Sequence, residues 1–387
     1  MSTPFSSSYT SPWKDESVLA LAETAEKFVA TEVAAFREKW EEQHFVDREV
    51  WLKAGQLGLL CCSIPEEYGG GGGSFAHDLA VFEALAHHGD ASWGVGVHSG
   101  IVAHYILAYG TEEQKQRWLP KMATGEWIAA VAMTEPGAGS DLKEIRTRAV
   151  KQGAEYVING NKIFISNGRM ADLIVTVVKT DPAAGAKGIS LLVVEADKTP
   201  GFVRGRILEK VGQHGADTSE LFYEDAHVPV ENLLGGVEGQ GFGQLMTQLA
   251  QERLILGVSS ATSIERAIAL TTEYAKTRDM FGQRLWDFQN TKFVLAECAT
   301  TAHVQRVFVD NCIQRHLDGF LDINTAAMLK WWASENYVSI VDRCVQIFGG
   351  YGYMREYPIA RMYEDARVSK VYAGSNETMK ELIARSL

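Results

Sequence analysis

Met133-Thr-Glu-Pro-Gly-Ala-Gly-Ser-Asp-Leu142 follows an apolar run, Trp127 to Val131, and reads as a strand that ends in a rigid turn. Pro136 fixes φ and removes one donor, while Gly137 and Gly139 permit positive φ and close backbone approach. The amides of such a turn can point together at a bound anion or a heteroaromatic edge. Thr134, Ser140 and Asp141 add short polar arms. Taken alone, the stretch is more readily an ordinary strand ending, since Gly and Pro mark turns everywhere.

Upstream of this stretch the pattern is helical. Val18, Leu21, Ala22, Ala25, Phe28, Val29 and Val33 recur at helical spacing and predict an amphipathic helix within Lys14 to Trp40. Glu49 to Leu59, Phe75 to His88 and Ser92 to Tyr109 continue it, and Thr111 with Gln114 offers a capping box for a helix stopped at Pro120. The Gly run at 69–73 lacks both a preceding strand and a following lysine, so it reads as a flexible surface loop rather than a phosphate cradle.

Downstream the period changes to two. Tyr156 to Ile165 reads as two β-rich runs around Asn159-Gly160, a hairpin signal, and Asp172–Lys179, Gly188–Glu195, Gly201–Leu208 and Ser219–Tyr223 add short strands. Beyond Gly241 no strand pattern returns. Helical stretches run over 241–276, 287–318, 322–347, 357–370 and 375–386. The order predicts a multidomain α+β chain: an N-terminal helical domain (1–126), a middle antiparallel β domain (127–240) and a C-terminal helical bundle (241–387).

The 387 residues suffice for a large core. A net charge of -12 argues against a nucleic-acid binder, whose footprint is basic. The 5 cysteines have no CxxC pairing, so neither a disulfide framework nor a metal site is indicated. Residues 1–12 have neither arginine nor an apolar core, and no apolar run is long enough to span a membrane, which makes the cytoplasm the simplest address.

On the helix after Gly241, Leu245, Leu249, Glu252 and Leu256 share one stripe, which places a carboxylate among apolar residues. A buried acid needs partners or a raised pKa, and a base poised near neutrality suits removal of a carbon-bound proton. The pattern equally allows a structural pair with Arg253 or Arg278.

Met133–Leu142 resembles the first signature of the acyl-CoA dehydrogenase family. Gln346-Ile-Phe-Gly-Gly-Tyr-Gly-Tyr353, followed by Glu356, Arg361 and Asp365, resembles the second. The likeness runs from about Leu19 to the end of the chain and implies the family's α, β, α layout, bound FAD, and dehydrogenation of an acyl-CoA thioester. Where most members carry Tyr-Glu-Gly-Thr with the catalytic glutamate, this chain has Tyr372-Ala373-Gly374-Ser375. In the long-chain branch the base comes from the bundle helix instead, and Gln251-Glu-Arg-Leu254 and the tail Asn376 to Arg385 look like that branch. The resemblance therefore implies Glu252 as base and the Ala373 amide as donor to the thioester oxygen, with Gly374, Ser140 and Arg253 at the substrate.

It further implies a flavin site lined by Val131, Met133, Thr134, Gly139 and Ser140, with Phe164, Ile165 and Ser166 at the ring. Arg278, Phe281, Gln289, Gln346, Gly349, Gly350, Ser375 and Glu377 would meet the cofactor, several of them from a neighbouring subunit, so a homo-oligomer, usually a tetramer, is implied. An electron-transferring flavoprotein is the implied acceptor. Glu144 replaces a small residue of the signature near the acyl-CoA entrance, and Trp93 and His98 lie where the acyl pocket would be walled. Two other readings remain open: a flavin oxidase or monooxygenase of the same fold acting on a non-CoA substrate, and a catalytically silent flavoprotein binding module.

Overall fold

The computed structural model describes residues 9–387. The Lys14–Trp40 pattern forms a broken helix: α1 (Glu16–Phe28), a π turn (Val29–Val33), a 3-10 turn and α2 (Arg37–Gln43). Val18, Ala25, Phe28, Val29 and Val33 are all buried, so the π turn resets the helical period while keeping one apolar stripe on the core. Then come α3 (Arg48–Gln56) and α4 (Phe75–His87). A continuous helical stretch follows, composed of α5 (Val95–Val97), a second π turn (His98–Val102) and α6 (Ala103–Tyr109).

The capping box opens α7 (Glu112–Ala123) as expected, with Gln114 N donating to Thr111 Oγ1 at 3.3 Å and Thr111 N to Gln114 Oε1 at 3.0 Å. Pro120 does not end this helix. Leu119 and Met122 are fully buried and Thr124 N still donates to Pro120 O at 3.1 Å, so core packing outweighs one missing donor. The Gly run is also tighter than expected. The amides of Gly70, Gly71, Gly72 and Gly73 bond the carbonyls of Pro65, Cys61, Ile64 and Cys62, which pins the loop.

The sheet comprises β1 (Ala129–Ala132), β2 (Arg148–Gln152), β3 (Glu155–Ser166), β4 (Leu173–Lys179), β5 (Ile189–Glu195), β6 (Phe202–Ile207) and β7 (Thr218–Pro229). Its pairings are antiparallel except along β1–β4 and at Arg148–Lys179. The hairpin expected at Asn159-Gly160 is absent, because β3 runs straight through it. Gly160 has φ 151, and a Cβ there would lie 2.4 Å from Thr147 Oγ1. The glycine serves close approach of a neighbouring segment, and the actual β2–β3 turn falls at Gly153, φ 63. β4 is buried on both faces: Leu173, Val175 and Val177 join the cluster under α6 and α7, while Ile174 and Val178 face the sheet interior.

The C-terminal part contains α8 (Gly241–Thr277), α9 (Gln289–Leu317), α10 (Ile323–Phe348), α11 (Pro358–Ala366) and α12 (Asn376–Ala384). Between α8 and α9 lies a small hairpin, β8 (Asp279–Met280) and β9 (Gln283–Arg284), which corrects the expectation of no strand beyond Gly241. Phe281 (φ 51) and Gly282 (φ 80) form its tip, and a tight two-residue turn is hard to read where Phe takes the position that Asn or Asp usually fills. α8 is long and apolar enough by composition to cross a membrane, but most of its apolar stretch is buried inside the protein. It is the central helix: Leu254, Val258 and Ala261 pack with the N-terminal helices, and Ile264, Ala267 and Ile268 with α9 and α10. All five cysteines are free and buried.

Candidate active site

The turn after β1 is built on a buried ion pair. Lys162, 1% exposed, donates from Nζ to Glu135 Oε1 at 2.8 Å and to Met133 O at 3.1 Å. The Glu135 carboxylate also accepts Arg146 N at 2.6 Å and Thr147 N at 3.0 Å. Burial pulls the Lys162 ammonium down to about 8 while the Glu135 charge holds it up, and that lysine in turn keeps Glu135 below the usual carboxylate range. Glu135 and Ala138 exchange backbone hydrogen bonds across Pro136-Gly137, at 2.9 and 3.1 Å, which closes the turn. Gly137 and Gly139 do not use positive φ, contrary to expectation. A Cβ at Gly137 would meet nothing within 4 Å and one at Gly139 only Thr134 Cγ2 at 3.8 Å, so these glycines leave open space above the turn.

Ile163 N donates to Thr134 O at 3.0 Å, which fastens the bulged end of β3 to this turn and brings Met133 and Thr134 together with Phe164, Ile165 and Ser166. Phe164 is held at φ 61 with 64% of its surface exposed, while its neighbour Ile165 is buried. A bulky residue in the left-handed region is strained, and here no core packing explains it. Phe164→Gly removes the strain, so the apoprotein gains about 1 kcal/mol over Phe164→Ala while flavin retention weakens. Denaturant midpoints of the two apoproteins and their flavin content on gel filtration check this; equal midpoints would refute the strain.

Across from this turn, the first third of α8 meets α6. Tyr109 Oη donates to Gln244 O at 3.3 Å and Gln251 Nε2 to Gly100 O at 2.7 Å. Val97, Ile101, Tyr109, Met133, Phe242 and Met246 converge here as half-buried apolar side chains on one cluster. Glu252 reaches this cluster through Tyr105, one of its buried members. Its Oε1 accepts the hydroxyl of Tyr105, itself fully buried, at 3.0 Å. Oε2 has no hydrogen-bond partner among the described residues, and the side chain keeps partial exposure. Burial pushes the Glu252 carboxyl up to about 7, opposed by the Tyr105 hydrogen bond and by Arg253. A carboxylate so poised can take a proton from carbon.

The structural ion pairs that the sequence left open are not formed. Arg278 lies at the far end of α8, 26 residues on, or about 39 Å at helical rise. Arg253 is 4% exposed, and its Nε and Nη1 have no hydrogen-bond partner among the described residues. Its charge adds to burial in lowering Lys330 to about 8. Lys330 Nζ donates to Asn376 Oδ1 at 2.9 Å, at the start of α12, so the 372–375 turn is tied to α10 beside Arg253. In that turn Ala373 has φ 54 and Gly374 φ 89, and Ser375 caps α12 by accepting Thr378 N at 3.3 Å. The Ala373 amide makes no hydrogen bond within the described residues.

Arg278, Phe281, Gln346, Gly349 and Gly350 form a separate exposed group around the β8–β9 hairpin and the end of α10. Arg278 Cζ lies 5.4 Å from the centre of the Tyr351 ring, which joins the base of the β8–β9 hairpin to the Gln346, Gly349, Gly350 segment. Phe281 is 90% exposed, and Gln289, Glu377 and Ser140 face outward too. Trp93 and His98 do not wall an open pocket: both are buried, and His98 accepts Ala129 N at Nδ1 (3.1 Å) and approaches Met122 O at 3.0 Å through Nε2. Glu144 is exposed. Sequence reading missed Tyr105 and Lys162; the second had a signal, a lysine in phase with the core-facing Tyr156 and Ile158.

Residues 239–387, 15–126 and 130–226 match the C-terminal, N-terminal and middle domains of acyl-CoA dehydrogenase. The long-chain specific acyl-CoA dehydrogenase of Mus musculus mitochondria is 45% identical over 94% of this chain and 85% of its own length.

The chain belongs to the acyl-CoA dehydrogenase family.

An acyl-CoA dehydrogenase structure from Geobacillus kaustophilus matches with a TM-score of 0.95 at 48% identity, covering 97% of this chain and 99% of that one. A glutaryl-CoA dehydrogenase from Mycobacterium smegmatis, in complex with FADH2, matches with a TM-score of 0.90 at 25% identity, covering 97% and 96%. This acyl-CoA dehydrogenase is therefore an oxidoreductase acting on acyl-CoA, and its cofactor is FAD. The residues fit that group: open space above Gly137 and Gly139, and a strained, exposed Phe164 beside it.

Proposed function

We propose that the enzyme converts a saturated acyl-CoA to the trans-2-enoyl-CoA, with Glu252 as the base. The observation that carries this reading is a single carboxylate, half-buried on an apolar stripe and raised to about 7, with one oxygen unpartnered among the described residues. FAD, when bound, supplies the acceptor for the β-hydrogen as hydride at N5. Glu252 takes the α-proton. The Ala373 amide, without a partner among the described residues and presented by the left-handed backbone of 373–374, donates to the thioester oxygen and stabilises its developing charge. Gly374, Ser140 and Arg253 complete the substrate side. Val131, Met133, Thr134, Gly139, Ser140, Phe164, Ile165 and Ser166 hold the flavin ring.

Arg278, Phe281, Gln289, Gln346, Gly349, Gly350, Ser375 and Glu377 reach the cofactor, several of them from a second copy in a homotetramer. Their support is that the group around the β8–β9 hairpin among them is exposed and clustered away from the turn at Met133. An electron-transferring flavoprotein takes the electrons onward. The test is anaerobic mixing with saturated acyl-CoA esters of increasing length. Flavin absorbance bleaches, at a rate that rises with pH through about 7 as Glu252 loses its proton. Absorbance unchanged by every ester would overturn the reading.

A further inference from the structure

The Tyr105–Glu252 hydrogen bond joins α6 to α8 across residues 147 apart in sequence. It occupies Oε1, and among the described residues no other group bonds the carboxylate. Tyr105 is fully buried, and burial together with the nearby Glu252 charge raises its hydroxyl well above the usual tyrosine range, so it stays a donor. A carboxylate on a long side chain turns freely unless one oxygen is held. Here one is.

We propose that Tyr105 is a positioning residue for the base: by holding Oε1 it presents Oε2 to the α-carbon and sets the pH at which Glu252 works. The inference rests on the reading of Glu252 as base. In the proton transfer the α-carbon–hydrogen bond breaks, the proton goes to Oε2, the electron pair left on the α-carbon delocalises onto the thioester oxygen held by the Ala373 amide, and the hydroxyl of Tyr105 remains bonded to Oε1. The groups acting on the carboxylate are the Tyr105 hydroxyl from α6 and the Arg253 guanidinium beside it on α8. Tyr109, also on α6, donates to Gln244 O instead and is the internal control. A hydroxyl donating to the charged form lowers a carboxyl pKa, so its loss raises it.

Tyr105→Phe keeps the ring and its packing. The acid limb of flavin reduction by acyl-CoA then moves up by about one to two pH units, since hydrogen bonds to charged groups are the strong ones. At pH 7 the rate falls about fivefold to fiftyfold, with substrate affinity little changed. Tyr109→Phe leaves the limb in place. Infrared difference titration of the protonated carboxyl band, wild type against Glu252→Gln, reads the same shift without turnover. Should Tyr105→Phe fail to fold, 3-fluorotyrosine at 105, a stronger donor, must move the limb and the band downward. A limb and band unmoved in a folded, yellow Tyr105→Phe protein overturn the inference while leaving Glu252 as base. Wild-type turnover in Glu252→Gln instead overturns the base itself.

Discussion

Glu252→Gln folds, takes up FAD and loses turnover by about a hundredfold to ten-thousandfold, the contribution expected of a positioned general base. Glutamine keeps the volume and can still accept the Tyr105 hydroxyl, so the loss belongs to proton removal and not to packing. Stopped-flow reduction by a saturated acyl-CoA measures it, with the flavin spectrum as the check on folding. The same substitution has the opposite effect on stability. Glu252 has a folded pKa of about 7 against an ordinary value of 4.5, so the fold favours its protonated form. Its contribution is complete below the unfolded pKa and is lost as pH rises through 7. At pH 8 the glutamine protein is more stable by about 2–3 kcal/mol, and near pH 4.5 the advantage vanishes. Denaturant midpoints at both pH values check the sign, and a glutamine protein less stable at pH 8 would show that the acid is not held at a cost.

Lys162→Met is the second large effect. It leaves the Glu135 carboxylate, 6% exposed, with backbone donors alone. Breaking one half of a buried pair costs about 3–5 kcal/mol because the remaining charge has no counterion. The Met133 carbonyl loses its donor as well, so the turn that faces the flavin loosens and the protein purifies with little FAD. Lys162→Met combined with Glu135→Leu removes both charges and regains most of the stability. Flavin retention in that pair of variants separates the effects: the double variant melts near the wild type yet still binds FAD poorly, since the carboxylate that fixes Arg146 N and Thr147 N is gone. Full flavin content in Lys162→Met would show that the pair serves the core only.

Periodicity carried the long elements, because α8, α9 and α10 bury one face over many turns and β4 and β5 bury both. Breaker residues misled where tertiary contacts decided. Pro120 stays inside α7 because Leu119 and Met122 hold the helix to the core. Asn159-Gly160 lies in mid-strand because Thr147 crosses too close for a side chain, and a pair of letters cannot distinguish a turn from a close crossing. Glu252 was legible from its stripe. Tyr105 was not, since a hydrogen bond between segments 147 residues apart leaves no local pattern. Lys162 lay within reach: an ammonium in phase with core residues announces a buried counter-charge.

One bond between the two helical parts has a consequence for what folding must achieve. Tyr105 belongs to the first helical layer and Glu252 to the last, and neither has a reason to be special within its own layer. A chain with every helix formed but the layers undocked would carry an ordinary glutamate, fully wetted, ionised and aimless at neutral pH. The raised carboxyl is thus a property of assembly: it exists only when α6 of the N-terminal helical part docks on α8 of the C-terminal part.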